Sequence, residues 1–343
     1  MRKLTTILLV GTMFLLGAVP VLAITGPGQY QVWATPAEYE KATGKIKPVI
    51  WALPEPNTNV IHFNLTVEDP VKREIFRDKR FRFAVSYSIN REMVNELVYL
   101  GICQPGQVAP SETSPFYNER LTHTAIEYDP AKTNALLDEI GLDKRGADGF
   151  RLAPNGEKLQ INFLACPWDE KFAELAIDML KAVGLNSNVR IVDFGTLNDK
   201  RTANAYDAAF IWEAWGTEEG IFLADKADDW VPTSPYGCFW CPEWNSWYLS
   251  RGEMGEKPIP EVLKAIEYYE KAKNTLDLEE QKKWFGKVLD IAADNLWTIG
   301  TLSYNGGYPY LMAINPKLRN FPTSPHSWWY GDWGRQGSWF FEE

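Results

Sequence analysis

The chain has 343 residues, with 35 Lys and Arg against 45 Asp and Glu, a formal charge of −10. That length accommodates two lobes with separate cores, and the acidic balance excludes binding to nucleic acid or an anionic lipid surface. Fifteen tryptophans are far above the usual share. In an exported chain such a surplus is expected on ligand surfaces, where indole offers a flat apolar face and one N–H donor.

Residues 1–23, MRKLTTILLVGTMFLLGAVPVLA, place Arg2 and Lys3 before an apolar run that ends in Val21-Leu22-Ala23. This is the pattern of a secretory signal peptide cleaved near Ala23, and it predicts a periplasmic or extracellular protein. An uncleaved anchor is the rival, but the run is short for a bilayer span. Residues 24–59 are punctuated by Gly and Pro and read as loop. VIHFNLT alternates as a strand with Ile61, Phe63 and Leu65 on one side. Asp69 followed by Pro70 reads as a helix start, and a second helix is expected from Asp78–Lys79 to near Gly101. DPAKTNALLDEIGL is a helix stopped at Gly141. KLQINFLAC, EKFAELAIDMLKAVGL, NVRIVDF, TLNDKRTANA and YDAAFIWEAWG then read strand, helix, strand, helical turn, strand, which is an α/β lobe. Residues 258–302 give two helices and a return strand, and the tail is irregular and aromatic. Asp207, before its apolar run, reads as a strand-start residue.

Four cysteines lie in a chain bound for an oxidising space: Cys103, Cys166, Cys238 and Cys241. CFWC reads as a local Cys238–Cys241 disulfide, with free thiols as the next reading. A zinc site lacks its second ligand pair, since neither the other cysteines nor the three scattered histidines supply one.

Phe81-Arg82, Ala84, Ser88-Ile89-Asn90-Arg91 and Gly101, followed by Pro105 and Pro110, resemble the signature helix of the exported solute-binding proteins of peptide-type ABC importers, family 5. YDPAKTNALLDEIGL, DGFRLAPNGEKLQINF, ELAIDMLKAVGL and YDAAFIWEAWG follow in the family's order, so the resemblance covers roughly residues 60–343. It implies an α/β, periplasmic-binding-protein-like clamshell of type II that hands its solute to a membrane ABC permease. No catalyst and no cofactor are expected. Members carry oligopeptides, dipeptides, nickel chelates or oligosaccharides.

Two departures from the family qualify this. Usual members carry a long further segment between the signal peptide and the part matched here, so the second lobe reads as complete and the first as truncated. The expected division is a leader over 1–23, a first-lobe remnant and linker over 24–59, the second lobe over 60–300 and a return segment over 301–343. The hinge is expected near Val60–Phe63 and Thr298–Tyr304. The second departure is Gly216, which stands where peptide carriers place an Asp for the amino group of the peptide. That favours a neutral ligand, with an oligosaccharide beside an oligopeptide as the candidate solutes. Trp212, Glu213 and Trp215 are the expected ligand contacts, with Trp240 and Trp244 as further candidates in a second aromatic wall. Two alternatives stand beside the carrier. One is a remnant that no longer binds; the other is a secreted glycoside hydrolase using Glu213 with Glu218 or Glu219.

Overall fold

A computed structural model describes residues 21–24, 30–33, 47–53, 57–99, 101, 103–112, 114–211, 221–222, 226–234, 237–304, 308–314, 317–319 and 340–341. The chain divides into two compact units, one taking in Ala52–Tyr308 and the other built from Met1–Trp51 with Pro309–Pro325 and Tyr330–Glu343. In the second of these, β1 (Val21–Ile24) pairs antiparallel with β2 (Tyr30–Trp33), so the cleavage expected after Ala23 falls inside a strand. β3 (Lys47–Leu53) pairs with β11 (Tyr308–Ile314), and β12 (Leu318–Arg319) with β13 (Phe340–Phe341). The second lobe expected over 60–300 lies within the unit that takes in Ala52–Tyr308. Of the segments expected as a hinge, Val60–Phe63 and Thr298–Tyr304, the strands Val60–Phe63 and Thr298–Gly300 belong to the five-stranded sheet of the larger unit and Leu302–Tyr304 pairs with Cys103–Pro105.

That sheet has five strands in the order β7-β6-β8-β4-β9. β6 (Gln160–Ala165) lies parallel to β7 (Asn186–Ile191) and β8 (Ala208–Ile211), while β4 (Val60–Phe63) runs antiparallel to both β8 and β9 (Thr298–Gly300). Every residue of β4 and β8 is buried, which requires cover on both faces and explains their unbroken apolar runs. On one face Phe163 stacks on Phe210 at 4.4 Å, and Phe63 meets Phe76, Phe81 and Phe163. On the other, Tyr206, Ala209, Ile211 and Phe239 pack with Cys166 and Leu197.

Helices form where the sequence supplies both a cap and an apolar face. Asp69 accepts from the amides of Val71 and Lys72 and starts α1 (Pro70–Arg77), with Pro70 at a position that needs no donor. The single helix expected from Lys79 to Gly101 is two, α2 (Lys79–Ser88) and α3 (Arg91–Tyr99). The break is at Asn90, whose Oδ1 accepts from the Met93 amide at 3.0 Å and so begins a new helix. β5 (Cys103–Pro105), α4 (Glu119–Thr122) and α5 (Pro130–Glu139) follow, and α6 (Glu170–Ala182) buries Phe172, Ala173, Ala176, Ile177 and Leu180. Next come α7 (Phe194–Thr202), α8 (Pro242–Leu249), and the hairpin α9 (Pro260–Lys273) and α10 (Leu278–Asn295). β10 (Leu302–Tyr304) pairs with β5.

The Ser-Ile-Asn-Arg segment has a structural task. Buried Arg82 donates to the carbonyls of Asn295 and Leu296, the C-terminal end of α10, at 2.8–3.0 Å. Arg91 donates to the carbonyls of Ser86 at 2.9 Å and Gly300 at 2.7 Å. Burial pulls both guanidinium groups down to about 9, still well above neutrality. Gln107 completes the clamp, its Oε1 accepting from the Gly300 amide at 2.7 Å. A Cβ at position 300 would stand 2.4 Å from the Val108 nitrogen and 2.6 Å from the Gln107 carbonyl carbon, both backbone atoms. Gly300→Ala is therefore expected to lower the free energy of unfolding by ~1–3 kcal/mol. Urea titration should show an earlier midpoint with an unchanged slope, whereas an unmoved midpoint would mean that the loop gives way.

A candidate solute edge at the carboxyl ends of the strands

Strand direction decides what meets at each end of this sheet. The C-terminal ends of β6, β7 and β8 lie beside the start of β4 and the end of β9, since Val60 pairs with both Ile211 and Gly300. In open α/β sheets, ligands bind at this carboxyl edge, where the strand order reverses. Trp212, Glu213 and Trp215, which come after β8 in the sequence, lie outside the described residues.

Two aromatic rings from neighbouring strand ends stand exposed here. After β6, a 3-10 turn (Pro167–Asp169) presents Trp168, 62% exposed, and after β7 comes Phe194, 52% exposed. Their centroids are 6.3 Å apart with planes tilted by 41°. Behind them lies a buried polar network. Asn59 donates from Nδ2 to Asp169 Oδ1 at 2.6 Å, takes the Tyr99 hydroxyl proton on Oδ1, and accepts from Thr301 Oγ1 on its carbonyl at 2.6 Å. Thr58 donates its amide to the Leu302 carbonyl at 2.8 Å, and Asn57 Oδ1 accepts from the Thr301 amide at 2.9 Å. The segments before β4 and after β9 are thereby tied to each other and to the turn carrying Trp168. Sequence reading passed over Trp168, Asp169, Asn59 and Phe194. A signal was present, since Pro-Trp-Asp follows immediately on a strand that runs parallel to YDAAFI.

The second aromatic wall is not at this edge. Trp240 and Trp244 are each 0% exposed. Trp240 lies flat on Trp297, with centroids 5.2 Å apart, and its carbonyl accepts from the Leu65 amide beyond the opposite end of β4. Its Nε1 donates to the Asp228 carbonyl at 2.7 Å, and Trp244 carries the Arg77 guanidinium 4.9 Å from its ring centroid. Both rings are core because their indole N–H groups find acceptors inside the protein. Trp230 and Trp297 are buried likewise, so the expected surplus of ligand-facing indole is in good part core packing. Asp207, at the far end, accepts from Lys72 Nζ at 2.7 Å and from the Asn162 amide at 2.9 Å, as befits a strand-start residue. Cys238 and Cys241 are free buried thiols rather than a disulfide. The Cys241 amide donates to the Cys238 carbonyl in the turn that starts α8, and burial raises the Cys241 thiol. Among the described residues no cluster of His, Cys, Asp or Glu has a metal-holding arrangement.

Burial dominates the titration of this unit. It raises Asp169 to about 7, against the lowering effects of the Asn59 side chain and the Cys166 backbone, and raises Cys166 to about 12. Asp228 and Asp229 are also raised by burial, whereas His62 is lowered to about 3, its two ring nitrogens unpartnered. A raised carboxyl binds a proton in the folded state before the unfolded state does, so its share of stability is greatest in acid and is lost as pH rises toward 7. His62 has the opposite slope, gained as pH rises from about 3 through the ordinary imidazole range. Comparing wild type with Asp169→Asn removes His62 and the other acids from the account. Relative to the variant, wild type is expected to lose up to about 1.4 kcal/mol per pH unit between pH 4 and 7. Chemical denaturation at a series of pH values measures this, and a constant difference would refute it. Separately, Trp240→Ala should cost ~3–5 kcal/mol of stability, as a core truncation does. Only a near-neutral variant in urea would return Trp240 to the surface.

Comparison with known proteins agrees with the geometry. The family model for bacterial extracellular solute-binding proteins, family 5 (middle), matches residues 19–221. A probable ABC transporter-binding protein of Deinococcus radiodurans is 25% identical over 161 residues, 45% of this chain and 27% of that protein. The oligopeptide-binding protein AppA of Bacillus subtilis is 23% identical over 147 residues, 42% of this chain and 27% of the relative. The structure of an oligopeptide-binding protein OppA superposes with a TM-score of 0.70 at 24% identity, covering 83% of this chain and 46% of the other. That of the periplasmic binding protein MelB of Agrobacterium fabrum, in complex with stachyose, gives 0.61 at 16% identity, covering 84% and 46%. The matches thus span about a quarter of these curated relatives and about half of these solved chains.

Proposed function

Since the chain belongs to family 5 of the bacterial extracellular solute-binding proteins, we propose that it is the exported substrate-binding component of a peptide-type ABC importer, capturing an oligosaccharide or an oligopeptide for a membrane permease. The observation that carries this reading is the exposed Trp168–Phe194 pair at the carboxyl edge. Large aromatic rings left in solvent at a sheet end, with hydrogen-bonding side chains behind them, are the parts a solute site needs. Flat apolar rings accept the C–H face of a pyranose or an aromatic peptide side chain equally well. The stachyose complex of MelB and the peptide names of AppA and OppA make both solute classes the ones to try first. Trp212, Glu213 and Trp215 join the proposal because they follow Ile211, the last residue of β8, in the sequence, and Glu213 would accept from sugar hydroxyls. Capture needs no reacting group, so the reading includes no catalysis.

A thermal-shift series against stachyose, cello-, manno- and xylo-oligosaccharides and short peptides tests it. A solute that binds only the folded state stabilises it by about 2.7 kcal/mol at a hundredfold excess over Kd. We expect one solute class to raise the melting temperature, and Trp168→Ala to abolish the rise while leaving the unliganded melt nearly in place. A cooperative melt that no solute moves would favour the non-binding remnant instead.

A further inference from the structure

Trp168 is exposed, yet the turn that carries it hangs on a buried acid. Asp169, the next residue, is 1% exposed, and its side chain accepts from Asn59 Nδ2 at 2.6 Å, with the Cys166 backbone beside it. The titratable groups around it are Cys166 in the same loop, Tyr99 of α3 on the other side of Asn59, and Asp193 after β7, which acts on Cys166. Glu170 and Lys171 follow on the exposed start of α6, and among the described residues no cation pairs with Asp169. A neutral carboxyl suits this position, because one oxygen suffices for Asn59. A carboxylate does not, since burying an unpaired charge costs more than a single hydrogen bond returns.

We propose that Asp169 is a positioning residue of the solute edge: as the neutral acid it anchors the 3-10 turn on Asn59 and holds the Trp168 ring beside Phe194, and its ionisation releases the turn and withdraws the ring. The part that concerns solute rests on the function proposed above; the coupling between acid and ring does not. The turn's other bonds are local, from the Asp169 amide to the Cys166 carbonyl at 2.9 Å and from the Glu170 amide to the Pro167 carbonyl. Pro167, Trp168 and Glu170 are all exposed, so Asp169 is the turn's side-chain tie to the segment before β4. Burial puts the ionisation of Asp169 at about 7, so the change falls in the neutral range. Asn59 is also the residue that joins Tyr99 and Thr301. Loss of the anchor is therefore felt at the segment before β4 as well as at the ring.

The test begins on the full chain without solute. The indole N–H resonance of Trp168, assigned by its loss in Trp168→Phe, is followed from pH 5.5 to 8.5. We expect a one-proton titration near neutrality in wild type and a flat response in Asp169→Asn, whose amide oxygen keeps the bond from Asn59. Asn59→Ala removes the contact that holds the neutral acid in place and should move the midpoint downward. A Trp168 signal that stays still, one that titrates equally in Asp169→Asn, or a midpoint indifferent to Asn59→Ala overturns the proposal. A second arm measures binding of stachyose and of a short peptide over the same range. Affinity that falls up to tenfold per pH unit above the midpoint, and that becomes level in Asp169→Asn, supports the link to solute; affinity independent of pH overturns that link. If the ring titrates and neither probe binds at any pH, the proposed solute function fails while the anchor stands.

Discussion

The grip on Gly300 is the constraint from which the rest of the larger unit follows. Its amide is held by Gln107 and its carbonyl by Arg91, with two backbone atoms of the 107–108 loop occupying the space a side chain would need. β9 is thereby fixed against the helical layer, and through Val60, paired with Gly300, so is the start of β4. β4 in turn sets β8 by the Val60–Ile211 pair, and β8 sets β6. The carboxyl edge is thus tied, at the Gly300 end of β9, to the helix signature. An arginine buried among carbonyls is a costly device, but three or four charge-assisted bonds offset its desolvation, and they fix one register where apolar contacts alone would tolerate several.

Much of this architecture was legible because it depends on local rules. Asp69-Pro70 capped a helix as its residue types require, and the strand, helix, strand order from Leu159 to Ile211 followed from periodicity. Asn90 was misread because a polar residue inside a helical pattern looks like an exposed helical position until its side chain is seen capping the next amide turn. The short helix Pro242–Leu249 was missed for a related reason, since Trp, Tyr and Asn in CPEWNSWYL give no clear apolar stripe.

The candidate site was less legible, and the reason is topological. Trp212 and Trp240 are both aromatic and both near Gly, Pro and acidic residues, and sequence alone made Trp212 an expected contact and Trp240 a further candidate. Trp212 lies outside the described residues, and Trp240 is decided by strand direction, since β4 runs against β8. Ile211 sits at the Val60 end of the sheet, while the Trp240 carbonyl is bonded to Leu65 at the other end. Trp168 was overlooked because its significance lies in a turn whose neighbour, Phe194, is 26 positions away in sequence and one strand away in space. Counting tryptophans overestimated the ligand surface. An indole with an internal acceptor is at home in a core, and Trp230, Trp240 and Trp244 each have one.

The same edge shows why its polar groups are amides and hydroxyls. Asn57, Asn59, Tyr99 and Thr301 can give and take hydrogen bonds with one another in a buried place without the desolvation penalty of a charge. Asp169 is the exception, an acid set into a neutral network with no cation paired to it among the described residues. An asparagine there would make the same bond to Asn59 and would be indifferent to pH. The carboxyl adds one property to that bond, which is that it can be lost at neutral pH. Its neighbour in the chain is Trp168, the most exposed tryptophan among the described residues. The exposed ring and the buried titratable acid occupy consecutive positions of one three-residue turn, so a change at the acid that shifts the turn's backbone is delivered to the ring.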